Sequence, residues 1–444
     1  MKTVCHKRKE KSSTFDFFGK VAEMDWNGGN ISTDGGLFLI SRLLKKTGII
    51  DKISSCIEDR RDQDRIVHTM PVLISQRISQ IIMGYEDAND AGELRTDPMM
   101  KYTVGRMPES GEDLSSQPTI SRLENNISLR DIARLDDCLT DWYIDSLIKR
   151  KSERIILDID GTDDPTHGRQ EGSLFNGFYE QTMYSPLIVC DGDTGDLAAI
   201  KLRPGNAAAS GDAFAMIRRI VKSIRERIPD IQIIIRADAG FGDPRIYKYC
   251  EENCIEYIIG IKGNLPLQRR TRKLSLRAEA NYRRRGKEKT KYTNFKYGAQ
   301  SWGKERMIIA RIRCNEMGKD TRYLITNIEF RKAREMHNFY SKRGDMENRI
   351  KEMKNDMSLD RLSCERYLAN YFRLILVGFA YQCMQRLRNK LKGTEFENAQ
   401  VKTIRLKILK VSVLVKETVR RVWLHFCSSF TEKIIFQKLA RGFA

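Results

Sequence analysis

The sequence of 444 residues lacks several features that would each point to a particular class of protein. Its ten cysteines are spread singly apart from Cys250 and Cys254, and no CxxC pair or run of histidines offers zinc-ligand spacing. No window approaches about 18 uncharged apolar residues, and the N-terminus has no apolar signal segment. Glycine-rich phosphate loops are also missing. We therefore expect a soluble, cytoplasmic protein with reduced thiols, no membrane partner and no nucleotide cofactor.

Acidic side chains are in the minority. There are 79 Lys and Arg against 59 Asp and Glu, a formal net charge of +20. About half of the excess lies in residues 381–444, and a second basic stretch runs through residues 269–306. An excess of this size favours a polyanionic partner, most often nucleic acid. With 41% hydrophobic residues, the chain is long enough for two or three domains.

The first 150 residues carry mostly helical patterns after an extended start. We interpret residues 1–150 as a mainly helical region for DNA binding or assembly. Within it, the segment from Ser115 to Ser128 reads SSQPTISRLENNIS. A Ser and a Pro at a helix start, followed by outward polar residues, fit either the recognition helix of a helix-turn-helix or an ordinary capped helix.

The centre of the chain alternates between strand and helix patterns. Two strand-like runs separated by the turn GDTG follow the apolar run SERIILDIDGT, and the order is then helix, strand, helix, strand. This order predicts a ribonuclease-H-like α/β domain, a mixed sheet with flanking helices, over residues 151–264 and 333–390. We expect residues 265–332 to form a β-rich basic insertion. Residues 391–444 are expected to form a basic C-terminal region for DNA contact or dimerisation.

Two strand-like runs end in aspartate. Asp160 follows the first, with Asp158 on the same face two residues earlier, and Asp238 ends the run IQIIIRAD. Each aspartate alone is more typical of a turn or helix cap. Together they form an oxygen-rich cluster that suits Mg²⁺ or Mn²⁺, and two such ions would form a clamp for attack on a phosphodiester.

A third group of chemically useful residues follows. Tyr340, Arg343, Glu347 and Lys354 are separated by steps of three, four and seven, which would place them on one face of a single helix. Glu347 could hold a metal ion while the other three contact a phosphate backbone. The alternative interpretation is a solvated helix with salt bridges between residues four apart.

These motifs together resemble a known family. LDIDGT, RADAGF and the series Y-x2-R-x3-E-x6-K are similar to the catalytic boxes of bacterial insertion-sequence DDE transposases with the YREK signature. GYEDANDAGELRTDP, PTISRLEN and DDPTHGRQ extend the resemblance to one subgroup. It implies that Asp160, Asp238 and Glu347 bind two Mg²⁺ ions, for which Mn²⁺ substitutes. Asp158 stays open as an alternative to Asp160.

The resemblance also implies roles in DNA binding. Tyr340, Arg343 and Lys354 would contact phosphates at the cleaved transposon end. In relatives, an aromatic residue of the insertion receives a flipped base, and Trp302 is the candidate for that role. The alternative is that Trp302 belongs to the small core of a β subdomain.

The expected activity is cut-and-paste transposition. The protein would cleave at the terminal inverted repeats of double-stranded DNA and join the free 3′-OH to target DNA. Because two DNA ends must be held together, we expect a homodimer in a synaptic complex. We also expect the protein to be associated with the nucleoid. Two alternatives are a metal-dependent nuclease without strand transfer and a catalytically inactive, transposase-derived DNA-binding protein.

Overall fold

The computed structural model describes residues 13–443. Its N-terminal part is mainly helical, which confirms the prediction for this region. The longest helix of this part, Leu129–Arg150, begins with a capping box between Ser128 and Asp131. The elements are β1 (Ser13–Phe17), β2 (Lys20–Met24), β3 (Ile31–Ser32), α1 (Leu37–Thr47), α2 (Ile49–Ser55), a 3₁₀ turn (Gln63–Arg65), α3 (Met70–Met83), α4 (Asp90–Leu94), α5 (Pro98–Thr103), α6 (Gln117–Asn125) and α7 (Leu129–Arg150).

The central part alternates strands and helices as its hydrophobic pattern predicts. Its elements are β4 (Arg154–Gly161), β5 (Asp164–Pro165), β6 (Leu174–Asn176), β7 (Gln181–Tyr184), β8 (Leu187–Asp191), β9 (Leu197–Lys201), α8 (Ala213–Arg227), β10 (Gln232–Ala237), a 3₁₀ turn (Ala239–Phe241), α9 (Pro244–Glu252) and β11 (Glu256–Ile261).

The last part returns to the sheet and then to the N-terminal region. Its elements are α10 (Leu265–Arg285), β12 (Lys289–Tyr297), β13 (Arg306–Asn315), β14 (Gly318–Thr326), α11 (Ala333–Ser341), α12 (Gly344–Met357), α13 (Tyr367–Lys390), α14 (Val401–Ile404), a π-helical turn (Arg405–Leu409), β15 (Val413–Glu417), β16 (Val422–Phe426) and α15 (Lys433–Gly442).

The largest sheet has the strand order β12-β13-β14-β11-β10-β4-β8-β9. Strands β4, β10 and β11 are parallel, and the others pair antiparallel with their neighbours. Numbered from β4 along the chain, the five strands β9-β8-β4-β10-β11 follow the order 3-2-1-4-5. This is the mixed sheet of the predicted ribonuclease-H-like class, and the fold prediction is confirmed.

Helices cover both faces of this sheet. On one face, α8, α9 and α10 share a hydrophobic core with the apolar side chains Ile155, Leu157 and Ile159 of β4. On the other, α12 and α13 share a core with β8, β9 and the N-terminal helices. Asp158 and Asp160 alternate with the apolar set and therefore belong to the face of α12. Between residues 13 and 443, no helix is long and apolar enough to cross a membrane.

The predicted β-rich character of residues 265–332 is wrong at its beginning, because α10 spans the first 21 residues. Asn264 caps this helix by accepting a hydrogen bond from the Leu267 amide at 3.0 Å, and Pro266 lies in its first turn. Gly286, with φ of 64°, ends it. The three strands that follow extend the main sheet, since β14 pairs with β11.

The prediction of one helix from Tyr340 to Lys354 is also wrong. Helix α11 ends at Ser341 and α12 begins at Gly344. At the junction, the amides of Arg343, Asp345 and Met346 bond to carbonyls three residues earlier. These tighter turns interrupt the α-helical bonding pattern. Tyr340 is therefore on one helix, and Glu347 and Lys354 are on the next.

Three small sheets complete the fold. Strands β16, β15 and β3 form one, so the C-terminal segment after residue 391 shares a sheet with the N-terminal region. Strands β5, β7 and β6 form another. The third is the β1–β2 hairpin, in which every residue is exposed.

Candidate active site

Two aspartates meet at the carboxyl ends of neighbouring parallel strands. Asp160 lies near the end of β4, and Asp238 directly follows β10. The register pairs Ile159 with Ala237, so Asp160 and Asp238 are neighbours across the two strands. The Asp238 carboxylate accepts a hydrogen bond from the Gly240 amide at 2.8 Å, which orients it at the start of the 3₁₀ turn. This juxtaposition comes from the parallel pairing and buried apolar residues of both strands.

Arg343 connects the first aspartate to Glu347. Its guanidinium donates to Asp160 at 2.8 Å and lies 3.6 Å from the Glu347 carboxylate. Burial raises the pKa of Asp160 to about 6, with Arg343 opposing the shift and the charge of Asp238 adding to it. The Glu347 side chain is 56% exposed and faces solvent beside this pair.

Asp158 has a different partner. Its two carboxylate oxygens accept hydrogen bonds from Arg236 of β10 at 2.5 and 2.6 Å, and both residues are buried. Arg236 also donates to the Phe339 carbonyl of α11 at 2.8 Å. Burial raises the pKa of Asp158, and Arg236 opposes that rise. The pair joins β4, β10 and α11, and it engages both oxygens of Asp158.

Tyr340 reaches the same end of the sheet. A β-carbon added to Gly260 would lie 3.1 Å from the Tyr340 hydroxyl and 3.1 Å from the carbonyl carbon of Asp238. Burial raises the pKa of Tyr340, while Arg343 lowers it and Asp238 raises it further. Tyr340 therefore lies close to both Asp238 and Arg343, in space that the absence of a side chain at Gly260 leaves open.

Lys354 lies in a separate cluster of carboxylates. Its ammonium group contacts Asp163 at 3.0 Å and Asp360 at 3.7 Å. Burial raises the pKa of Asp163, but its hydrogen bond to Lys354 and other bonds lower the pKa on balance. Asp164 beside them is fully buried, and burial, with the charge of Asp360, raises its pKa to about 8. The sequence analysis gave Asp163 and Asp164 no role beyond the motif DDPTHGRQ and did not identify Asp360.

The chemistry of the predicted metal ligands is that of a Mg²⁺ or Mn²⁺ site, since Asp160, Asp238 and Glu347 all offer carboxylate oxygens. Their arrangement is open: within residues 13–443 no three or more Asp, Glu, His or Cys side chains form a ready cluster for a metal. The structure brings Asp160 and Asp238 together and links Glu347 to Asp160 through Arg343. Their carboxylate oxygens are of the donor type that a divalent ion prefers, and in this structure Arg343 holds Asp160 in place of a cation.

Trp302 packs within a group of rings. Its ring centroid lies 5.8 Å from that of Tyr247 and 5.4 Å from that of Tyr297, both edge-on. The Arg306 guanidinium lies 5.8 Å from the centre of the Trp302 ring. These contacts match the alternative in which Trp302 belongs to a small core. The stacking role of Trp302 stays a prediction.

Sequence reasoning missed an aromatic hairpin close to the acids. The turn between β6 and β7 exposes Phe178 and Tyr179, and β7 contacts the site because Gln181 donates to Asp163 at 3.3 Å. The signal was present as Asn176-Gly177, a dipeptide typical of tight turns, between aromatic residues.

A mixed sheet in this strand order, with acidic residues at neighbouring strand ends and a glutamate on a following helix, is consistent with a DDE transposase. Residues 16–443 match the family described as transposase DDE domain group 1. The chain therefore belongs to that family and is a DNA transposase. Its further assignment to the YREK group stays a prediction.

Two further comparisons complete this picture. No curated protein matches the chain. One similar solved structure is the cryo-EM structure of the piggyBac transposase synaptic complex with hairpin DNA. It is 12% identical, with a TM-score of 0.40 over 84% of this chain and 78% of that chain. The assignment to the family follows from the family match and does not depend on this similarity.

Proposed function

We propose that this transposase moves DNA by a cut-and-paste reaction, cleaving at the ends of an insertion sequence and joining the 3′-OH to target DNA. Asp160, Asp238 and Glu347 would hold two Mg²⁺ ions, with Mn²⁺ as a substitute. Bound ions would polarise the scissile phosphate and stabilise the attacking and leaving oxygens. The observation that carries the proposal is that Asp160 and Asp238 follow the paired residues Ile159 and Ala237 at the ends of two parallel strands.

Arg343 has two partners in this proposal. In the structure it neutralises Asp160 and approaches Glu347, which limits repulsion among the carboxylates. Cations in the site would neutralise the carboxylates in place of Arg343. The Arg343 guanidinium would then be released to bind a DNA phosphate through two parallel hydrogen bonds. The exchange from carboxylate to phosphate would couple DNA binding to assembly of the catalytic centre.

The remaining predicted contacts fit a DNA end that approaches over β10 and α12. Tyr340 beside Asp238 would donate a hydrogen bond from its hydroxyl to a phosphate, and Lys354 would donate one from its ammonium group, which now contacts Asp163. Trp302 stays a proposed DNA contact. A net charge of +20 supports binding of double-stranded DNA, both at the terminal inverted repeats and at the target. A homodimer would hold the two ends.

The first experiment compares Asp160→Asn with Asp158→Asn on duplexes that carry the inverted repeats flanking the coding region. We expect Asp160→Asn to bind the ends but to cleave them at least about 1,000-fold more slowly, since metal ions supply several kcal/mol of transition-state stabilisation. Asp158→Asn leaves the Arg236 charge buried without its partner, which costs about 3–5 kcal/mol of stability. Its folded fraction should still cleave.

The opposite result, with folded Asp158→Asn inactive and Asp160→Asn active, would contradict the assignment of Asp160. Strand transfer is measured separately with pre-cleaved ends and a supercoiled target. Joined products are expected from wild type with Mg²⁺. Cleavage without joining would instead identify a nuclease. Failure of both cleavage and joining with Mg²⁺ or Mn²⁺ would identify a catalytically inactive DNA-binding protein.

A further inference from the structure

An exposed aromatic tip lies beside the catalytic acids. It is the turn between β6 and β7, residues 177–180, which reads GFYE. The Phe178 side chain is 85% exposed and that of Tyr179 is 41% exposed. Their ring centroids are 4.9 Å apart with the planes at 85°. Phe175 on β6 is also exposed and enlarges this aromatic surface. We refer to residues 175–180, which are this turn and the last two residues of β6, as the aromatic tip.

The aromatic tip is close to the catalytic centre. Strand β7, which follows the tip, pairs with β5 and places Tyr184 opposite Asp164. Burial raises the pKa of Tyr179, and the negative charges of Asp163, Asp160 and Asp238 raise it further. Gln181, two residues later, donates to the Asp163 carboxylate at 3.3 Å. A group that rests on the tip is therefore near the site of strand cleavage.

The backbone of the tip is held in place although its rings are exposed. The Asn176 side chain accepts hydrogen bonds from the amides of Phe178 at 2.9 Å and Tyr179 at 3.3 Å. The same side chain donates to the Gly205 carbonyl at 2.6 Å. Below the turn, Met183 and Tyr184 of β7 are fully buried. An anchored hairpin that exposes aromatic faces is arranged to receive a flat ligand at little entropic cost.

We propose that the aromatic tip stacks on an unpaired nucleobase of the DNA end, next to the phosphate that is cleaved. This inference rests on the proposed function and adds to it the group that holds the base. Aromatic rings suit any base because every base has a π face, and stacking compensates for the loss of pairing. Trp302 is less suited, because Tyr247 and Tyr297 already pack against its ring.

A nucleobase fits this surface better than a second protein does. The charged groups that act on the Tyr179 hydroxyl are the carboxylates of Asp163, Asp160 and Asp238 and the guanidinium of Arg203, and such groups suit a phosphodiester and its ions. An apolar protein surface placed there would bury those carboxylates without compensation. The tip is also small, two or three rings wide, which corresponds to one base rather than to a protein interface.

The test measures coupling between the rings and individual bases. Cleavage rates are measured for wild type, Phe178→Ala and Tyr179→Ala on fully paired ends and on ends with an abasic site at each position around the cut. We expect either alanine substitution to slow cleavage of paired ends about tenfold to hundredfold, which corresponds to the loss of stacking on one base. Phe178→Trp and Tyr179→Phe should restore the rate, since both keep a ring.

The decisive feature is non-additivity. At one abasic position, wild type should slow by a similar factor, and the alanine variants should slow no further, because the ring and the base act as one pair. Phe18→Ala is the matched control: Phe18 is 93% exposed at the tip of the β1–β2 hairpin and should show no coupling. The same measurements on paired and abasic ends with Trp302→Ala compare Trp302 with the aromatic tip as the stacking surface.

Three results would overturn the inference. They are additive losses at every position, coupling to Trp302 alone, and alanine variants that cleave like wild type. Loss of self-association in the alanine variants, measured by light scattering, with equal slowing on paired and abasic ends would identify a protein interface and also overturn it. These outcomes differ from failure of the proposed function, in which wild type itself does not cleave.

Discussion

At the scale of single residues, the partner of each carboxylate determines its chemistry. Asp158 is engaged by Arg236, Asp160 is held by Arg343, and Asp164 is buried with no hydrogen-bond partner for either oxygen within the described chain. Alternation along β4 predicts that Asp158 and Asp160 share a face. It does not predict their roles, because Arg236 comes from the neighbouring strand, 78 residues along the chain.

Asp164 leads to a prediction for stability against pH. Its carboxyl ionises near pH 4 in the unfolded chain and, because burial raises the pKa, near pH 8 in the folded protein. Between these values unfolding releases a proton, so this group contributes stability at low pH that is lost as the pH rises. Asp164→Asn removes the effect and should gain stability relative to wild type from pH 5 to pH 8, as measured by urea denaturation.

Asp163→Asn provides the matched control, because the shift at Asp163 has the opposite sign. The pKa of Asp163 is lowered in the folded protein, so its contribution is present at neutral pH and is lost as the pH falls. Its asparagine variant should therefore lose more stability at pH 7 than at pH 3. Parallel stability profiles for wild type and Asp164→Asn would contradict the prediction for Asp164.

At the scale of elements, the site depends on how closely its strands and helices approach. The alternation of strands and helices was predictable, since each apolar run has the length and period of its element. Helix α10 was missed although Asn264, Pro266 and Gly286 mark its ends, because the basic residues between them hid a narrow buried stripe. The break between α11 and α12 falls beside Gly344, the first residue of α12, and a single glycine within a helical pattern is only a weak signal for a helix end.

Substitution of Gly260 tests how closely β11 must approach the loop after β10 and helix α11. An added β-carbon would lie 2.8 Å from the Ala239 amide nitrogen and 3.1 Å from the Tyr340 hydroxyl. Gly260→Ala should displace the loop after Asp238, costing about 1–3 kcal/mol of stability. Cleavage should slow about tenfold or more, since small displacements at a catalytic centre are costly. Thermal unfolding and cleavage rates measure the two effects.

Gly92→Ala is the control for this substitution. Gly92 lies in α4, and an added β-carbon would have no atom within 4 Å. Alanine is favoured over glycine in a helix, so this variant should be as stable as wild type or slightly more stable. If Gly260→Ala behaved like Gly92→Ala in both measurements, the close approach of Tyr340 would not matter for the reaction.

At the scale of the whole molecule, the N-terminal and C-terminal parts of the described chain form one unit. Strand β15 pairs with β3, and the amides of Gly35 and Gly36 bond to the carbonyls of Val411 and Leu409 at 2.9 Å. Added β-carbons at these glycines would lie only 2.7 and 2.2 Å from that backbone. Apolar residues of β15 and α15 share the core of the N-terminal helices and of α13. The basic C-terminal region is therefore structurally inseparable from the N-terminal one.

Truncation tests this union. Removing residues 410–444 takes away β15, β16 and α15 and exposes N-terminal core residues, each worth about 1.5–3 kcal/mol when buried. We expect the truncated protein to unfold at least about 10 °C below the full chain or to aggregate, as measured by scanning calorimetry. A deletion to residue 25, which among the described residues removes the exposed β1–β2 hairpin and no core residue, should leave the unfolding temperature nearly unchanged. Equal melting of the full and C-terminally truncated chains would contradict the prediction.

The sequence by itself determined the mixed sheet, the acids at its strand ends and membership of the DDE transposases, because these features depend on short-range periodicity and local motifs. Only the tertiary structure decided which aspartate Arg236 engages, where the Tyr340–Lys354 segment bends, and that an aromatic hairpin lies beside the acids. These features depend on strand register and on contacts between residues far apart in the chain, which no local pattern encodes.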